Sequence, residues 1–276
     1  MVVFNNISVL RGALDECPRP LGFVPTMGAL HTGHLSLVER ARRECASVAV
    51  SIFVNPTQFN DPDDLRTYPR TPEADLGLLE EAGADFVFMP SAEEIYPEPD
   101  DRIFDFGLLD KVMEGASRPG HFNGVAQVVS RLLDIVRPDR AYFGEKDFQQ
   151  IAIVRALKEQ AGFAAEIVPC PIVRDTDGLA LSSRNALLPP EYRRAAPRIY
   201  DVLNRSTQLR NMTPEQVREW VVNEVEKEPL LKVIYFEIVD ARTLMPAACW
   251  HDECAAQGCI AVQAGPVRLI DNIRYV

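Results

Sequence analysis

The chain has 276 residues, of which 47% are hydrophobic and 25% charged, an ordinary balance for a folded protein with a sizeable core. Its formal net charge of −11 argues against nucleic acid as the main partner. No apolar run reaches the length of a membrane span, and the first residues show no signal peptide. The sequence therefore predicts a cytoplasmic protein without a membrane partner.

Apolar runs of strand length alternate with segments of helical spacing over the first part of the chain. An initial helix or loop at 1–20 precedes a buried strand at 21–24 and a helix that extends to about Cys45. Thr71, as a capping residue before Pro72, predicts the start of a helix that ends at Gly83. Further helices are predicted at 125–136 and 148–160, and further strands at 47–54, 84–90, 141–144 and 166–173, with a possible short strand at 103–106.

This alternation is typical of an α/β fold, here a Rossmann-like parallel sheet with helices on both faces, which we place at residues 1–173. A smaller α+β domain with an antiparallel sheet is predicted at 174–276. Thr213, with Gln216 in the capping-box position, predicts the start of one of its helices. The elements predicted there are helices at 190–208 and 214–227 and strands at 233–239, 259–264 and 267–275.

A pair of histidines lies at the predicted junction between the first buried strand and the helix that follows it. Residues 25–37 read Pro-Thr-Met-Gly-Ala-Leu-His-Thr-Gly-His-Leu-Ser-Leu and hold half of the chain's four histidines. His31 and His34 should point the same way, beside unpaired N–H groups and the positive end of the helix dipole. Gly28 and Gly33 would let a ligand approach the backbone. The segment predicts a phosphate site, although such a pair is also common on surfaces or as a chance metal site.

Other polar groups fall at the carboxyl ends of predicted strands or at the predicted domain boundary. Lys146 follows the strand at 141–144, Gln58 follows the strand at 47–54, and Ser182 to Arg184 follow the first domain. A triphosphate that splits at its α-phosphorus needs hydrogen-bond donors around the developing charge and no covalent nucleophile. Each residue alone is better explained as a surface or loop residue, whereas their joint placement favours a nucleotide site.

The cysteines do not form a recognisable metal or disulfide pattern. Cys45 and Cys170 lie in apolar segments and are predicted to be core residues. Cys249, Cys254 and Cys259 match no zinc spacing, and their role is left open.

Several segments together resemble one enzyme family. Beyond His-x-Gly-His, they are Phe-Val-Asn-Pro-Thr-Gln-Phe at 53–59, Tyr-Pro-Arg-Thr at 68–71, Arg-Pro-Gly-His-Phe-Asn-Gly-Val at 118–125, Phe-Gly-Glu-Lys-Asp at 143–147 with Gln149 and Gln150, and Asp-Gly-Leu-Ala-Leu-Ser-Ser-Arg-Asn at 177–185. From about residue 20 to 190 the chain resembles the pantothenate synthetase (pantoate–β-alanine ligase) family of the His-x-Gly-His nucleotidyltransferase superfamily. The remainder matches loosely, as is typical of a lid domain.

The resemblance implies a two-step reaction and a homodimer. Pantoate would attack the α-phosphorus of ATP to give pantoyl adenylate and pyrophosphate, and β-alanine would then displace AMP to give pantothenate. A mobile lid would shield the adenylate from water. Mg²⁺ is expected to arrive with ATP, held mainly by phosphates. Asp75 and Asp147 are candidate carboxylates, and the metal ligands remain unassigned.

The resemblance also implies a set of site residues. His34 would donate a proton or stabilise an oxyanion, Lys146 would neutralise phosphate charge, and His31 and Arg184 complete the catalytic set. Pantoate and β-alanine would contact Gln58, Gln150 and Met27. The residues implied for ATP are Met27, Gly28, Ala29, Leu30, His31, Thr32, Gly33, His34, Gly144, Glu145, Lys146, Asp147, Val173, Leu181, Ser182, Ser183 and Arg184.

Two alternatives remain. The chain could be another His-x-Gly-His nucleotidyltransferase that adenylylates a phosphate ester, but Gln58 and Gln150 stand where cations for a second phosphate would be expected. It could also be a non-catalytic nucleotide-binding protein on the same fold, which predicts loss of His34, Lys146 or Arg184. All three are present.

Overall fold

The computed structural model describes residues 1–250 and 255–275 and comprises two compact units. The first unit contains Met1–Gly107, Arg118–Glu145 and Gln150–Pro171. The second unit contains Leu108–Ser117, Lys146–Gln149 and the part of the chain from Ile172 onward. The predicted division of the chain after residue 173 stays a prediction. Among the described residues, no helix is both long and apolar enough to cross a membrane.

A six-stranded, wholly parallel sheet forms the centre of the first unit. Its strands are β1 (Val2–Phe4), β2 (Leu21–Thr26), β3 (Ser47–Ile52), β4 (Phe86–Phe88), β5 (Arg140–Gly144) and β6 (Glu166–Cys170). They lie in the order β1-β4-β3-β2-β5-β6. β2 pairs with β3 from Leu21 opposite Ser47 to Thr26 opposite Ile52. The predicted α/β fold with a parallel sheet is confirmed.

Helices follow the strands along the chain and supply the apolar surfaces that cover the sheet. On one face, Val38 and Ala41 of α2 and Leu79 of α4 belong to a buried cluster with Val24 and Val50 of the sheet. The helices are α1 (Ile7–Asp15), α2 (Thr32–Glu44), α3 (Pro62–Thr67), α4 (Pro72–Glu81), α5 (Ala92–Ile95), α6 (Met113–Ser117), α7 (His121–Val136), α8 (Phe148–Ala161), α9 (Pro190–Ala195), α10 (Arg198–Ser206) and α11 (Pro214–Glu226). Short 3₁₀ turns occupy Pro56–Gln58, Glu145–Asp147 and Ser183–Leu187.

The prediction of a short strand at 103–106 is wrong, because side chains of α7 form hydrogen bonds with the main chain at this segment. Gln127 Nε2 and Asn123 Nδ2 both donate to the carbonyl of Arg102, at 3.0 and 3.1 Å. Asn123 Oδ1 accepts from the N–H of Phe104 at 2.9 Å. The segment is therefore tied to a helix by side chains instead of pairing with a strand.

Other differences from the predicted elements occur where glycine or proline sets the chain direction. α7 begins at His121, four residues earlier than predicted, because Gly120 adopts a φ of 83° and starts the helix. The single helix predicted at 190–208 is two helices, α9 and α10, separated by Pro197, which has no N–H to donate. β1 and the helices α3, α5 and α6 are not predicted from the sequence, because they are too short to show a hydrophobic period.

The second unit packs helices against a three-stranded antiparallel sheet. Its strands β7 (Leu231–Asp240), β8 (Ala256–Ala264) and β9 (Val267–Arg274) lie in that order, which confirms the predicted antiparallel sheet. Val217, Val221 and Val225 of α11 are fully buried and belong to one core cluster with Phe236 and Ile260 of the sheet. Their spacing of four residues places them on a single face of α11.

The predicted capping box at the start of α11 is confirmed. Thr213 Oγ1 accepts from the N–H of Gln216 at 3.2 Å, and Gln216 Oε1 accepts from the N–H of Thr213 at 2.9 Å. Both bonds satisfy N–H groups that a helix start would otherwise leave unpaired.

We expect Thr213→Ala to lower the free energy of unfolding of the second unit by about 1 kcal/mol, the usual cost of losing a capping hydroxyl. Thr213→Ser keeps the acceptor oxygen and should retain the wild-type value. Urea unfolding followed by circular dichroism measures both variants. Equal stability of the alanine and serine variants would contradict a capping role for the hydroxyl.

Candidate active site

The strand order of the parallel sheet changes direction between β2 and β5. From β2 the chain proceeds to β3 and β4 on one side, and from β5 it proceeds to β6 on the other. Met27 follows the carboxyl end of β2, and Glu145 follows that of β5. In open parallel sheets, the carboxyl ends of the strands at such a switch point are the usual place for a ligand.

The turn after β2 is held by a buried carboxylate. Gly28 and Ala29 have φ values of 79° and 49°, a left-handed conformation that costs free energy for alanine. Asp75, in the first turn of α4, is 1% exposed and accepts from the N–H groups of Ala29 at 2.9 Å and Leu30 at 2.8 Å. Thr71 stands at the N-cap of α4, as predicted, but its hydroxyl makes no capping bond and instead donates to Asp75 at 3.0 Å.

The two histidines meet at the start of α2, and their ring centroids are 4.1 Å apart. His31 is the N-cap residue, and its Nδ1 accepts from the N–H of Gly33 at 3.1 Å. An Nδ1 that accepts places the proton of a neutral imidazole on Nε2. The N–H of His34 bonds the carbonyl of His31 at 2.8 Å. The expectation of unpaired N–H groups is therefore wrong for Gly33 and His34, because His31 itself satisfies both.

The buried side-chain amide of Asn55 orients Gln58. Asn55 is 1% exposed; its Nδ2 donates to Gln58 Oε1 at 3.2 Å, and its Oδ1 accepts from the hydroxyl of Tyr96 at 2.9 Å. Gln58 Nε2 in turn donates to Met27 Sδ at 3.0 Å. Burial raises the pKa of Tyr96, which keeps its hydroxyl protonated as a donor. Asn55 is not among the site residues that the sequence predicts, although an asparagine directly after the strand predicted at 47–54 is a usable signal.

The glycine-containing segment at 118–124 supports the main chain of Gln58. The carbonyl of Gln58 lies 2.8 Å from Nδ1 of His121 and accepts from Arg118 Nη2 at 3.5 Å. A Cβ atom at Gly124 would lie 2.3 Å from the carbonyl oxygen of Thr57, so no other residue fits there without movement. This segment therefore fixes the main-chain position of Gln58, a candidate residue for binding substrate.

Lys146 occupies the middle of the 3₁₀ turn at Glu145–Asp147, between β5 and α8. Its Nζ lies 3.6 Å from Asp147 Oδ1, and its side chain is 18% exposed. Of the two glutamines that follow, Gln149 is buried and donates to the carbonyl of Leu109 at 2.7 Å, whereas Gln150 is half-buried. Gln150 is therefore the more accessible of the two, and its role toward substrate stays a prediction.

The predicted loop at the domain boundary is an ordered hairpin in the second unit. The N–H of Leu181 donates to the carbonyl of Val173 at 3.0 Å. Ser182 then caps the 3₁₀ turn at Ser183–Leu187 by accepting from the N–H of Arg184 at 3.3 Å. The hairpin brings Val173 next to Leu181, although several residues separate them in the chain.

The candidate residues divide between the units. Residues 27–34, Gln58, Gly144, Glu145 and Gln150 belong to the first unit. The second unit holds the remaining candidates, which are Lys146, Asp147, Val173, Leu181, Ser182, Ser183 and Arg184. Within each unit the structure brings together residues that are distant in the chain, as with Met27 and Gln58. Their roles toward ligands stay predictions.

No dedicated metal cage is present in residues 1–250 and 255–275, where no three histidine, cysteine or acidic side chains are grouped to hold an ion. Asp75, one candidate carboxylate, already accepts two main-chain N–H groups. Cys45 and Cys170 are buried free thiols, as predicted. Cys249 and Cys259 are also free thiols, and Cys254 lies outside the described residues.

Known proteins resemble this chain along its entire length. The family model described as pantoate-beta-alanine ligase matches residues 2–274. The chain is 55% identical to the pantothenate synthetases of Porphyromonas gingivalis and Bacteroides thetaiotaomicron, with 100% of this chain and 99% of each relative covered.

Solved structures agree with these relatives. The chain superposes with a TM-score of 0.95 on pantothenate synthetase from Thermus thermophilus, at 45% identity over 100% of this chain and 99% of that one. A pantoate-beta-alanine ligase from Francisella tularensis, complexed with beta-gamma ATP and beta-alanine, gives a TM-score of 0.85 at 35% identity, over 100% and 98% of the two chains. The chain belongs to the pantoate-beta-alanine ligase family.

Proposed function

We propose that the protein joins pantoate to β-alanine through a pantoyl adenylate. A carboxylate oxygen of pantoate attacks the α-phosphorus of ATP, and the bond to pyrophosphate breaks. The amine of β-alanine then attacks the acyl carbon, loses a proton, and expels AMP as the new amide bond forms. The observation that carries this proposal is the contact between His31 and His34 at the start of α2, beside the switch point of the sheet.

The first step builds negative charge on the α-phosphate and on the departing pyrophosphate, so donors placed there accelerate it. His31 and His34 supply ring nitrogens at the positive end of the α2 dipole. Lys146 adds a full charge, and Arg184 supplies a fork of donors suited to phosphate oxygens. The proposed ATP contacts are completed by residues 27–34, by Gly144 to Asp147, by the main chain of Val173, and by Leu181 to Ser183.

Gln58 suits pantoate because its orientation is set by neighbours. Its Oε1 accepts from Asn55 and one N–H of its Nε2 donates to Met27 Sδ, so the second N–H of Nε2 is the group that can donate toward an oxygen of the substrate. Met27, in contact with that same nitrogen, offers a soft apolar surface for the two methyl groups of pantoate. Gln150 would add a second amide. A polar pocket of this kind rejects acids that lack the matching oxygen.

The remaining expectations concern Mg²⁺, assembly and location. A bound Mg²⁺ would neutralise phosphate charge. We expect it to bind mainly through phosphate oxygens, with few ligands from the protein. The homodimer and the cytoplasmic location stay predictions, and sedimentation equilibrium of the purified chain tests the first of them.

Exchange of labelled pyrophosphate into ATP tests the adenylate step by itself. We expect exchange that requires pantoate and proceeds without β-alanine, because only the first step is reversed. Exchange that ignores pantoate but responds to another acid would contradict the substrate assignment.

Replacement of Lys146 by alanine removes a charged donor, which typically costs about 2.7–4 kcal/mol of transition-state stabilisation, or roughly 100- to 1,000-fold in kcat. The exposed Lys232 of β7 is a matched control, and Lys232→Ala should leave the rate of pyrophosphate exchange unchanged. An exchange rate within twofold of wild type for Lys146→Ala would refute the proposed role.

Gln58→Leu keeps much of the side-chain volume but removes the donor. Removal of one partner of a buried hydrogen bond leaves the other unsatisfied and costs about 1–3 kcal/mol, so we expect KM for pantoate to rise roughly 5- to 100-fold. KM for ATP in the same variant is the internal control and should change little. Steady-state kinetics with each substrate varied in turn measures both; equal effects on the two constants would show that Gln58 has no selective role toward pantoate.

A further inference from the structure

Two neighbouring polar side chains of β9 are buried in the second unit. Asp271 is 5% exposed and Asn272 is 3% exposed, inside a strand whose other buried residues are apolar. Burial of a polar group costs free energy unless the group is hydrogen-bonded. The hydrogen-bond partners of Asp271 and Asn272 therefore indicate their role in the structure. The partners are the turn that carries Lys146 and the hairpin that begins at Val173.

Asn272 contacts the main chain of Lys146 with a fixed end of its amide. Asn272 Nδ2 donates to the carbonyl oxygen of Lys146 at 3.1 Å. Its Oδ1 accepts from Gln257 Nε2 at 2.7 Å, a bond that only the oxygen end can make. Gln257 therefore determines that the N–H end of Asn272 faces Lys146.

Asp271, the residue before Asn272, anchors β9 through an ion pair with Arg174. Arg174 donates to both carboxylate oxygens, at 2.6 and 2.9 Å, and its guanidinium lies over the ring of Tyr200 at 3.7 Å from the centroid. Burial raises the pKa of Asp271, and the ion pair with Arg174 opposes that shift. Asp271 Oδ1 also accepts from the N–H of Asn272 at 2.7 Å. The backbone of Asn272 is thereby anchored to the segment that follows Val173.

The turn that holds Lys146 needs such support. It is a single 3₁₀ turn of three residues, a form with poor internal hydrogen-bond geometry. The lysine side chain is long, so a rotation of the main chain at Lys146 changes the direction in which the side chain starts and displaces the region that its ammonium group can reach. A buried amide bound to the carbonyl fixes the orientation of the peptide plane directly after Lys146.

We propose that Asn272 is a positioning residue for Lys146, and that its side-chain amide sets where the ammonium group lies when phosphate binds. The proposal rests on the proposed role of Lys146 in the adenylate step. β9 thus contributes to the first chemical step through Lys146, without an atom of Asn272 contacting the reacting groups.

Asn272→Ala in the full chain tests the proposal by pyrophosphate exchange. A displacement of about 1 Å can cost on the order of 100-fold, so we expect the exchange rate at saturating ATP to fall about 10- to 100-fold. Leu269→Ala is the matched control, because Leu269 is a buried core residue of the same strand. This control should lower the unfolding midpoint but keep the exchange rate within about twofold below the transition. If the Asn272→Ala variant does not fold, Asn272→Ser is measured instead, since its side chain is too short to reach the carbonyl.

A double-mutant cycle with Lys146→Ala separates positioning from a general structural role. If Asn272 acts through the ammonium group, Asn272→Ala should lower the rate by less than about threefold once Lys146 is alanine. A full-sized effect in both backgrounds would overturn the proposal, as would an unchanged rate for Asn272→Ala alone. Normal exchange by Lys146→Ala would instead overturn the proposed role of Lys146, on which the inference rests, and wild-type exchange that ignores pantoate would overturn the proposed function itself.

Discussion

The carboxylate of Asp75 is the constraint on which the histidine segment depends. Two consecutive left-handed residues, Gly28 and Ala29, turn the chain from β2 into α2, and the strained conformation of the alanine costs of order 1–3 kcal/mol. Charge-assisted bonds from the N–H groups of Ala29 and Leu30 to Asp75 offset that cost. Asp75 also benefits from its place in the first turn of α4, where the dipole favours negative charge.

The turn at Gly28 and Ala29 positions side chains on both sides of it in the chain. Beyond it, His31 caps α2 and its ring meets that of His34. Before it, Met27 reaches Gln58, whose amide is oriented by Asn55 and whose carbonyl is held by His121. In each case a partner of defined polarity fixes the orientation of a polar side chain or of the main chain beside it.

The second unit uses the same kind of support. Lys146 projects from a short 3₁₀ turn, and the hairpin from Val173 to Leu181 is closed by main-chain bonds. β9 connects the two segments, since Asn272 bonds the turn and Asp271 bonds Arg174. Buried polar groups with defined partners thus support the candidate ligand residues of each unit.

The local sequence pattern predicted much of the secondary structure but few of the polar contacts that support the candidate site residues. The alternation of apolar runs was sufficient for the parallel sheet, and the placement of His31 and His34 at a strand-to-helix junction follows from it. Thr71 was assigned to a cap because that is its local preference, yet its hydroxyl is taken by Asp75. The partners of Asn55 and Asn272 lie up to 126 positions away in the chain, and periodicity carries no information about such contacts.

Transfer of ¹⁸O from the carboxylate of labelled pantoate tests the central claim, attack on the α-phosphorus of ATP, most directly. If a carboxylate oxygen attacks that phosphorus, one labelled oxygen remains on AMP and one in the amide product, as mass spectrometry of both products would show. Unlabelled AMP, or label in inorganic phosphate accompanied by ADP, would contradict an acyl adenylate and with it the roles proposed for His31, His34 and Lys146.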